Sequence, residues 1–384
     1  MTVTAPRALI DVARDYFDPS YYESQLSAPT EIDLFQHYLT IGVQDGLNPC
    51  RYFEQKWYEW QNPDYARSHE TGYFHYLEVG RFEGRDPSPL ADMPKIATTL
   101  GSGLPPEEQS SRILQETLGT GAGLYRDYKE LEANQRAFLE QINPINIRRS
   151  PPAHPRRNLV FLQAGPSGLQ SQWFNDAADR NWDMFVNLYD ARTPLPEAAE
   201  YIIAQAGTKS TAMYTFLHNY ADIARLYDHV LFLDDDISVT GALLNQLFDK
   251  CAEYELDAAQ MALSEQSNCM WPIFFGQGSN GPRYCNGVEI MMPVLSKRLL
   301  FACRDLFGRS VSGFGLDLAI GQRAQELGEN NIAVLDEVVA EHLKPIDTDG
   351  GALYSYLRSA GINPKAELWN LVQTLGLEKT FSGK

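Results

Sequence analysis

The chain is short of positive charge. Its 384 residues carry 32 Lys and Arg against 50 Asp and Glu, a formal net charge of −18. A surplus of that sign argues against non-specific nucleic-acid binding and against a polybasic membrane anchor. Any phosphate-bearing ligand must therefore be met by local positive charge or by a metal ion. Cysteine is scarce as well: Cys50, Cys251, Cys269, Cys285 and Cys303 are scattered, odd in number and without CxxC spacing. Neither a disulfide framework nor a zinc site is indicated, and free thiols in a reducing cytoplasm are expected. Long apolar runs are missing too. No stretch approaches about 18 uninterrupted apolar residues, so no transmembrane helix is expected, and Met1 to Asp11 lacks the apolar core of a signal peptide. The expected location is cytoplasmic, with peripheral attachment to an inner membrane left open.

What is there centres on one stretch. Val230 to Leu233 reads as a short buried strand, and it discharges into Asp234-Asp235-Asp236. An unpaired buried carboxylate costs several kcal/mol or shifts its pKa and neutralises, so three in a row need a reason. Strand alternation puts Asp234 and Asp236 on one side and Asp235 on the other. Two oxygen donors converging at a strand end suit a hard divalent cation such as Mg²⁺ or Mn²⁺. The plainer reading is a solvated acidic turn.

Residues 17 to 90 contain an internal duplication. Phe17 to Tyr22 answers to Phe53 to Tyr58, and His37, Tyr38, Leu39, Gly42, Gly46 and Pro49 answer to His75, Tyr76, Leu77, Gly80, Gly84 and Pro87. Each unit reads as two short helices, the second ending in a glycine cap at Gly42 or Gly80. His37 and His75 recur with the repeat, which points to packing rather than catalysis. The pattern resembles the short tandem repeats with an HYL-x-x-G-x-x-(E/D)-G-x-x-P signature that precede some bacterial glycosyltransferase domains. A scaffold, partner-docking or self-association role is the expectation for residues 1–90.

Ala91 to Leu104 reads as a linker, and Pro105-Pro106 opens a helix. An amphipathic helix is expected from about Leu124 to Ile142, and Arg148 to Arg157 cannot hold a regular element. Asn158 to Gly165 and Asp183 to Asp190 then read as strands, with a helix from Gln170 to Arg180 between them. Strand, turn, helix, strand opens a nucleotide-binding α/β domain. Asp190 at a strand end suits a ribose or base, or else a turn or helix cap. Lys209 starts a helix running to about Leu226 and is either a diphosphate contact at its N-terminus or a surface lysine. Cys285 to Val294 reads as a strand interrupted by Glu289, which needs a partner. Gly313-Phe314-Gly315-Leu316-Asp317 delivers an aspartate to a helix start, as a general base on a loop or as a charge favouring the helix dipole. Asn331 to His342 is strand-like and ends in an imidazole that suits a third metal ligand.

Taken in order, Phe232-Leu233-Asp234-Asp235-Asp236, Val288 to Lys297, Gly313 to Asp317 and Val334-Leu335-Asp336 with His342 resemble the family labelled domain of unknown function 707, over about residues 157 to 350. That family looks like a glycosyltransferase with the GT-A fold. Phe314 stands where the family has Trp, and the altered spacing before His342 leaves Glu341 as a rival ligand. The resemblance implies an α/β fold, a GT-A-like nucleotide-binding mixed sheet flanked by helices, behind a separate all-α N-terminal repeat domain. It implies Mn²⁺ or Mg²⁺ on Asp234, Asp236 and His342, and Asp317 deprotonating a hydroxyl acceptor with inversion.

The reading that follows divides the chain into a repeat domain (1–90), a linker with helices (91–156), a catalytic domain (157–350) and a helical extension (351–384), with Gly350-Gly351 as a lid. The catalytic domain is expected to move a sugar from a nucleotide donor, first of all a UDP-sugar, to a carbohydrate or glycoconjugate in bacterial surface polysaccharide synthesis. Ala164, Gly165, Asp190, Lys209 and Asp235 form the expected donor set. Glu289, Trp271 and Phe314 form the expected acceptor set, and the Gln266 to Tyr284 loop, with Trp271 and Phe274, is the expected acceptor-recognition segment. Two other classes compete: a non-catalytic sugar- or nucleotide-binding adaptor, and an aspartyl-phosphate hydrolase. The latter wants its nucleophile near the first strand of its domain and a lysine downstream, whereas here at least two strands precede Asp234 and the candidate lysine comes before it.

Overall fold

The computed structural model describes residues 7–90, 128–174, 179–345, 351–378 and 380–383. The chain divides into two units, residues 1–130 and 131–384. The expected linker from Ala91, the helix at Pro105 and the Gly350 half of the lid lie outside the described residues.

In the first unit one arrangement occurs twice. A helix over Pro19–Ser24 is followed by Leu34–His37 and a π-helical turn over Tyr38–Gly42; Gln55–Gln61 is followed by Gly72–His75 and a π-helical turn over Tyr76–Gly80. The fully buried Tyr22 and Tyr58 hydroxyls meet Nδ1 of His37 and His75 at 2.7 and 2.8 Å. Gly42 and Gly80 do not cap these helices as expected, because the right-handed conformation continues through them. The left-handed turn falls four residues later, at Gly46 (φ 69°) and Gly84 (φ 71°). A different constraint holds Gly42 and Gly80: a Cβ there would lie 2.1 Å from the Tyr22 hydroxyl and 2.0 Å from that of Tyr58.

The second unit is α/β, a large mixed sheet with helices packed on it. In chain order its strands are β1 (Ile145–Arg148), β2 (Asn158–Ala164), β3 (Trp182–Leu188), β4 (Tyr201–Ala204), β5 (His229–Asp234), β6 (Ile237–Ser238), β7 (Ala258–Leu263), β8 (Pro282–Tyr284), β9 (Val294–Ser296) and β10 (Ile332–His342). Every residue of β2 and β3 is buried, as apolar strands covered on both faces must be. The order is β1-β4-β3-β2-β5-β9-β7-β10-β6, with β8 on β10. β2, β3, β4 and β5 run parallel to one another, and the outer neighbours of this group, β1 on β4 and β9 on β5, run antiparallel. The winding runs outward from β2 through β3 to β4, then returns to place β5 on the other side of β2. Chain reversal of this kind opens a crevice at the carboxyl ends of the two central strands, here beside Gly165 and Asp234.

Helix α1 covers Tyr128–Glu140, inside the expected span. Helix α2, Lys209–Asn219, is capped by Thr208 in a reciprocal arrangement with Thr211 and breaks at Tyr220; a short helix over Ala221–Ala224 carries the chain on toward the expected Leu226. Helices α3 (Gly241–Glu253), α4 (Lys297–Ala302), α5 (Leu316–Leu327), α6 (Ala352–Ser359) and α7 (Pro364–Leu375) follow. Of the helix expected from Gln170 to Arg180, the described residues Gln170–Phe174 form a 3-10 turn, and 175–178 lie outside the described residues. The strand expected from Cys285 to Val294 is not formed between Asn286 and Pro293. The Glu289 carboxylate accepts from Met291 N at 2.8 Å and Lys209 takes the carbonyls of Ile290 and Met291 at 2.7 Å each, so the segment is held as a turn. Helices α6 and α7 pack on the loop before α5: Leu357 and Ile362 close on Val311, and Leu368 and Leu371 sit against Gly315. Among the described residues no helix is long and apolar enough to cross a membrane.

Candidate functional site

Register brings the site together. β2 aligns Gln163 with Asp234 on β5, so the residues just beyond, Gly165 and Asp235, meet: Gly165 N donates to Asp235 Oδ2 at 2.7 Å. The approach is close enough that a Cβ on Gly165 would lie 2.0 Å from the Tyr189 hydroxyl. That hydroxyl itself reaches Asp235 Oδ2 at 3.4 Å. On the other side, β6 pairs with β10 so that Ile237 faces His342, and Leu343 N donates to Asp236 O at 3.2 Å. This pairing is what sets His342 beside Asp236.

The three acids take three environments. Strand β5 ends at Asp234, so pleat alternation does not extend across the trio; Asp235 and Asp236 lie in a turn. Asp234 is paired with Lys209 Nζ at 3.0 Å. Burial raises its pKa, Lys209 opposes the rise, and the neighbouring acids add to it. Asp235 is buried and also meets Lys344 Nζ at 3.3 Å. Asp236 Oδ2 lies 3.4 Å from the same lysine, and Oδ1 lies 3.6 Å from His342 Nε2. Burial works against ionising Asp236, but His342 and Lys344 together hold its carboxyl below the usual range.

His342 Nδ1 lies 2.6 Å from the carbonyl oxygen of Asn268, an acceptor, so Nδ1 is the donor. In the neutral ring Nε2 then carries a bare lone pair, aimed at a carboxylate oxygen. Burial lowers the His342 pKa, but Asp236 and the Asn268 carbonyl raise it on balance. Asp236 Oδ1 is buried without a hydrogen-bond partner among the described residues. A divalent cation fits this donor pair, since an imidazole oriented by a backbone carbonyl and a carboxylate oxygen needing a partner are usual metal-site chemistry. The expected trio is not gathered as a set: among the described residues no three His, Cys, Asp or Glu side chains stand close enough to hold an ion. Asp234 turns to Lys209 instead. The rival Glu341 pairs in register with Ser238 on β6.

The other expected site residues divide. Lys209 is committed inward, donating to Phe232 O at 3.1 Å as well as to Ile290 and Met291, which ties β5 to the 290–291 turn. Asp190 is gripped by the exposed Arg192 two residues on, which with its backbone N–H holds the carboxyl down to about 2. Ala164 closes β2 and accepts from Tyr189 N at 3.1 Å. Glu289 is pushed up to about 7, by burial first and then by Asp317 and Asp234. Asp317 sits in the first turn of α5, after Gly315 at φ 82°. Burial pushes its carboxyl up to about 6 against the N–H of Leu318 at 2.9 Å. Phe314 stacks edge-on to Tyr354, and Trp271 edge-on to Phe381.

The loop carrying Trp271 is held by an ion pair. Asp336 accepts Arg283 Nε at 2.9 Å and the N–H groups of Gln277 and Ser279 at 3.0 and 2.9 Å. Arg283 also donates to the carbonyls of Ile273 and Phe275. Lys344, Tyr189 and Asn268 are site residues that the sequence reading left out. Lys344 stands two positions beyond His342, just past the end of β10, and that proximity is a usable signal; the reach of Tyr189 and the Asn268 carbonyl has none.

No family model matches the chain, and no curated protein matches it. The resemblance to domain of unknown function 707 thus rests on the quoted motifs alone. Among solved structures the chain is similar to residues 1–349 of S. aureus TarS at 14% identity and a TM-score of 0.31, over 48% of this chain and 59% of that one. Against the same protein in complex with UDP-GlcNAc the identity is 13% and the TM-score 0.34, over 52% and 61%. Against its UDP complex the values are 13% and 0.31, over 50% and 61%. The chain thus spans about three fifths of the length of these neighbours.

Proposed function

We propose that the second unit is a metal-dependent glycosyltransferase of GT-A-like fold, moving a sugar from a nucleotide donor to a hydroxyl acceptor with inversion. The observation that carries this reading is the Asp236 and His342 pair, an unpartnered carboxylate oxygen facing an imidazole nitrogen beside the crevice between β2 and β5. Asp236 and His342 would hold Mn²⁺ or Mg²⁺, with Asp234 turning in from Lys209 as a further ligand. Bound there, the ion would neutralise charge on a departing nucleoside diphosphate. Asp235, fixed by Gly165 N, faces the donor, and Lys344 supplies the positive charge that a chain of net −18 otherwise lacks.

Asp317 takes the acceptor proton. As the acceptor oxygen bonds to the anomeric carbon, the bond to the diphosphate oxygen breaks and the diphosphate leaves with the electron pair. Single displacement inverts the centre. A positioned base contributes about 10²- to 10⁴-fold to such a step. The Trp271 loop, Glu289 and Phe314 form the acceptor side. The first unit is proposed as a tandem-repeat domain that docks a partner, in bacterial surface polysaccharide or glycoconjugate synthesis. The test is nucleoside diphosphate release from a panel of nucleotide sugars, UDP-sugars first, with and without Mn²⁺. Turnover that requires the metal is expected. Donor binding without turnover of any donor would instead favour a non-catalytic adaptor.

A further inference from the structure

The C-terminal helix α7 carries a carboxylate with no solvent contact. Glu367 is fully buried, yet each of its oxygens is met by donors. Oε1 accepts from Gln135 Nε2 and Val311 N, both at 2.8 Å. Oε2 accepts from Ser312 N at 2.8 Å and from Ser310 Oγ at 3.2 Å. A buried acid is tolerated only with such satisfaction. Its partners are the three residues just ahead of the Gly313 to Asp317 motif, together with Gln135 from α1.

The same three residues relay the constraint forward. Ser310 Oγ accepts from Gly313 N at 3.0 Å, and Ser312 Oγ accepts from Phe314 N at 3.2 Å. From the opposite side, Thr208 and Ser210 at the start of α2 donate to the carbonyls of Val311 and Ser310. Gly313 and Gly315 both lie in the left-handed region, at φ 91° and 82°. Leu368 and Leu371, on the same helix as Glu367, press on Gly315. With two glycines inside it, the segment has little stiffness of its own, so its path is set by these anchors.

We infer that Glu367 is a positioning residue for Asp317, an inference that rests on the base role proposed above. Through the 310–312 backbone, α7 sets the height and direction from which α5 presents its first turn. It does not touch the donor. Loss of this grip therefore acts on the transfer step and leaves donor affinity alone.

The experiment compares Asp317→Asn, Glu367→Gln and Gln135→Met in the full chain. It uses UDP-sugar turnover with Mn²⁺, donor KM, and UDP affinity by calorimetry, at a temperature where circular dichroism shows each variant folded. A displacement of about 1 Å at a reacting group costs about 100-fold, and Glu367→Gln is expected to lower kcat by about 10- to 100-fold with KM and UDP affinity unchanged. Gln135→Met removes one of the donors, so it should give a smaller loss of the same kind; it carries the test if Glu367→Gln does not fold. Wild-type kcat in both variants, or a change in KM instead of kcat, overturns the inference while an inactive Asp317→Asn leaves the base role standing. Full activity in Asp317→Asn, or no turnover by the wild type, overturns both.

Discussion

His342 Nε2 stands 3.6 Å from Asp236 Oδ1, beyond hydrogen-bond reach, while the opposite ring nitrogen is fixed by the Asn268 carbonyl. Two acceptors face one another across that gap when the imidazole is neutral. Such a gap calls for a cation, either a second proton on the ring or a metal ion.

The metal alternative makes a direct prediction. His342→Gln and Asp236→Asn should each weaken Mn²⁺ binding, followed by the paramagnetic signal of the free ion in the presence of UDP. Loss of even an outer partner of a metal ligand costs about 10- to 100-fold in affinity, and removal of a ligand should cost no less. Chelation should abolish sugar transfer by the wild type. Unchanged Mn²⁺ affinity in both variants would assign the gap to the proton.

Asp317 predicts a pH profile. Its carboxyl is pushed up to about 6, and a base works only when deprotonated. The value of kcat/KM should therefore rise with pH through about 6 and level off above it. Glu289, pushed up to about 7 by burial first and then by Asp317, is electrostatically coupled to it, so Glu289→Gln separates the two titrations. In Asp317→Asn the limb near 6 should vanish and kcat should drop by about 10²- to 10⁴-fold, with UDP affinity retained. A limb that persists in that variant belongs to another group.

Asp336 and Arg283 hold the Trp271 loop, which is proposed to face the acceptor. Their side chains are 1% and 15% exposed, so removing one leaves the other charge buried and uncompensated. Breaking such a pair typically costs about 3–5 kcal/mol. Asp336→Ala should destabilise the protein by roughly that amount in urea unfolding and raise the acceptor KM, because Gln277 and Ser279 lose their anchor. Donor affinity should be unaffected. A variant as stable as the wild type would show the pair to be dispensable.

How far these features were legible in the sequence depended on whether local pattern or long-range register set them. The apolar runs of β2, β3 and β5 and the strand ending in His342 were readable, because burial on both faces demands continuous apolar residues. The 285–294 stretch misled for the same reason: it is apolar, but Lys209, 81 residues earlier in the chain, takes its carbonyls and holds it as a turn. Asp190 and Lys209 each had two readings, a donor contact or a turn acid and a surface lysine, because local pattern does not separate them. Arg192 pairs with the first, and backbone carbonyls and Asp234 hold the second. Glu367 has a local signal of its own, since it lies one helical turn before the buried Leu371 and so on the apolar face of α7.

Gly80 and Tyr58 supply a test confined to the first unit. A Cβ at Gly80 would sit 2.0 Å from the Tyr58 hydroxyl and 3.1 Å from its Cζ. That hydroxyl is buried and bonded to His75 at 2.8 Å, so it cannot retreat without losing its partner. Gly80→Ala should destabilise by about 1–3 kcal/mol through overpacking. Gly84→Ala should cost about 1–2 kcal/mol for a separate reason, its left-handed backbone. Combination with Tyr58→Phe distinguishes the two. Deleting the hydroxyl relieves the contact with an alanine at 80, so that double variant should be less destabilised than the sum of its singles. The pair of Tyr58→Phe with Gly84→Ala should add within about 0.5 kcal/mol, as uncoupled sites do. Thermal unfolding of the full chain measures both cycles. Additivity in both would mean that the glycine at 80 answers to something other than the tyrosine hydroxyl above it.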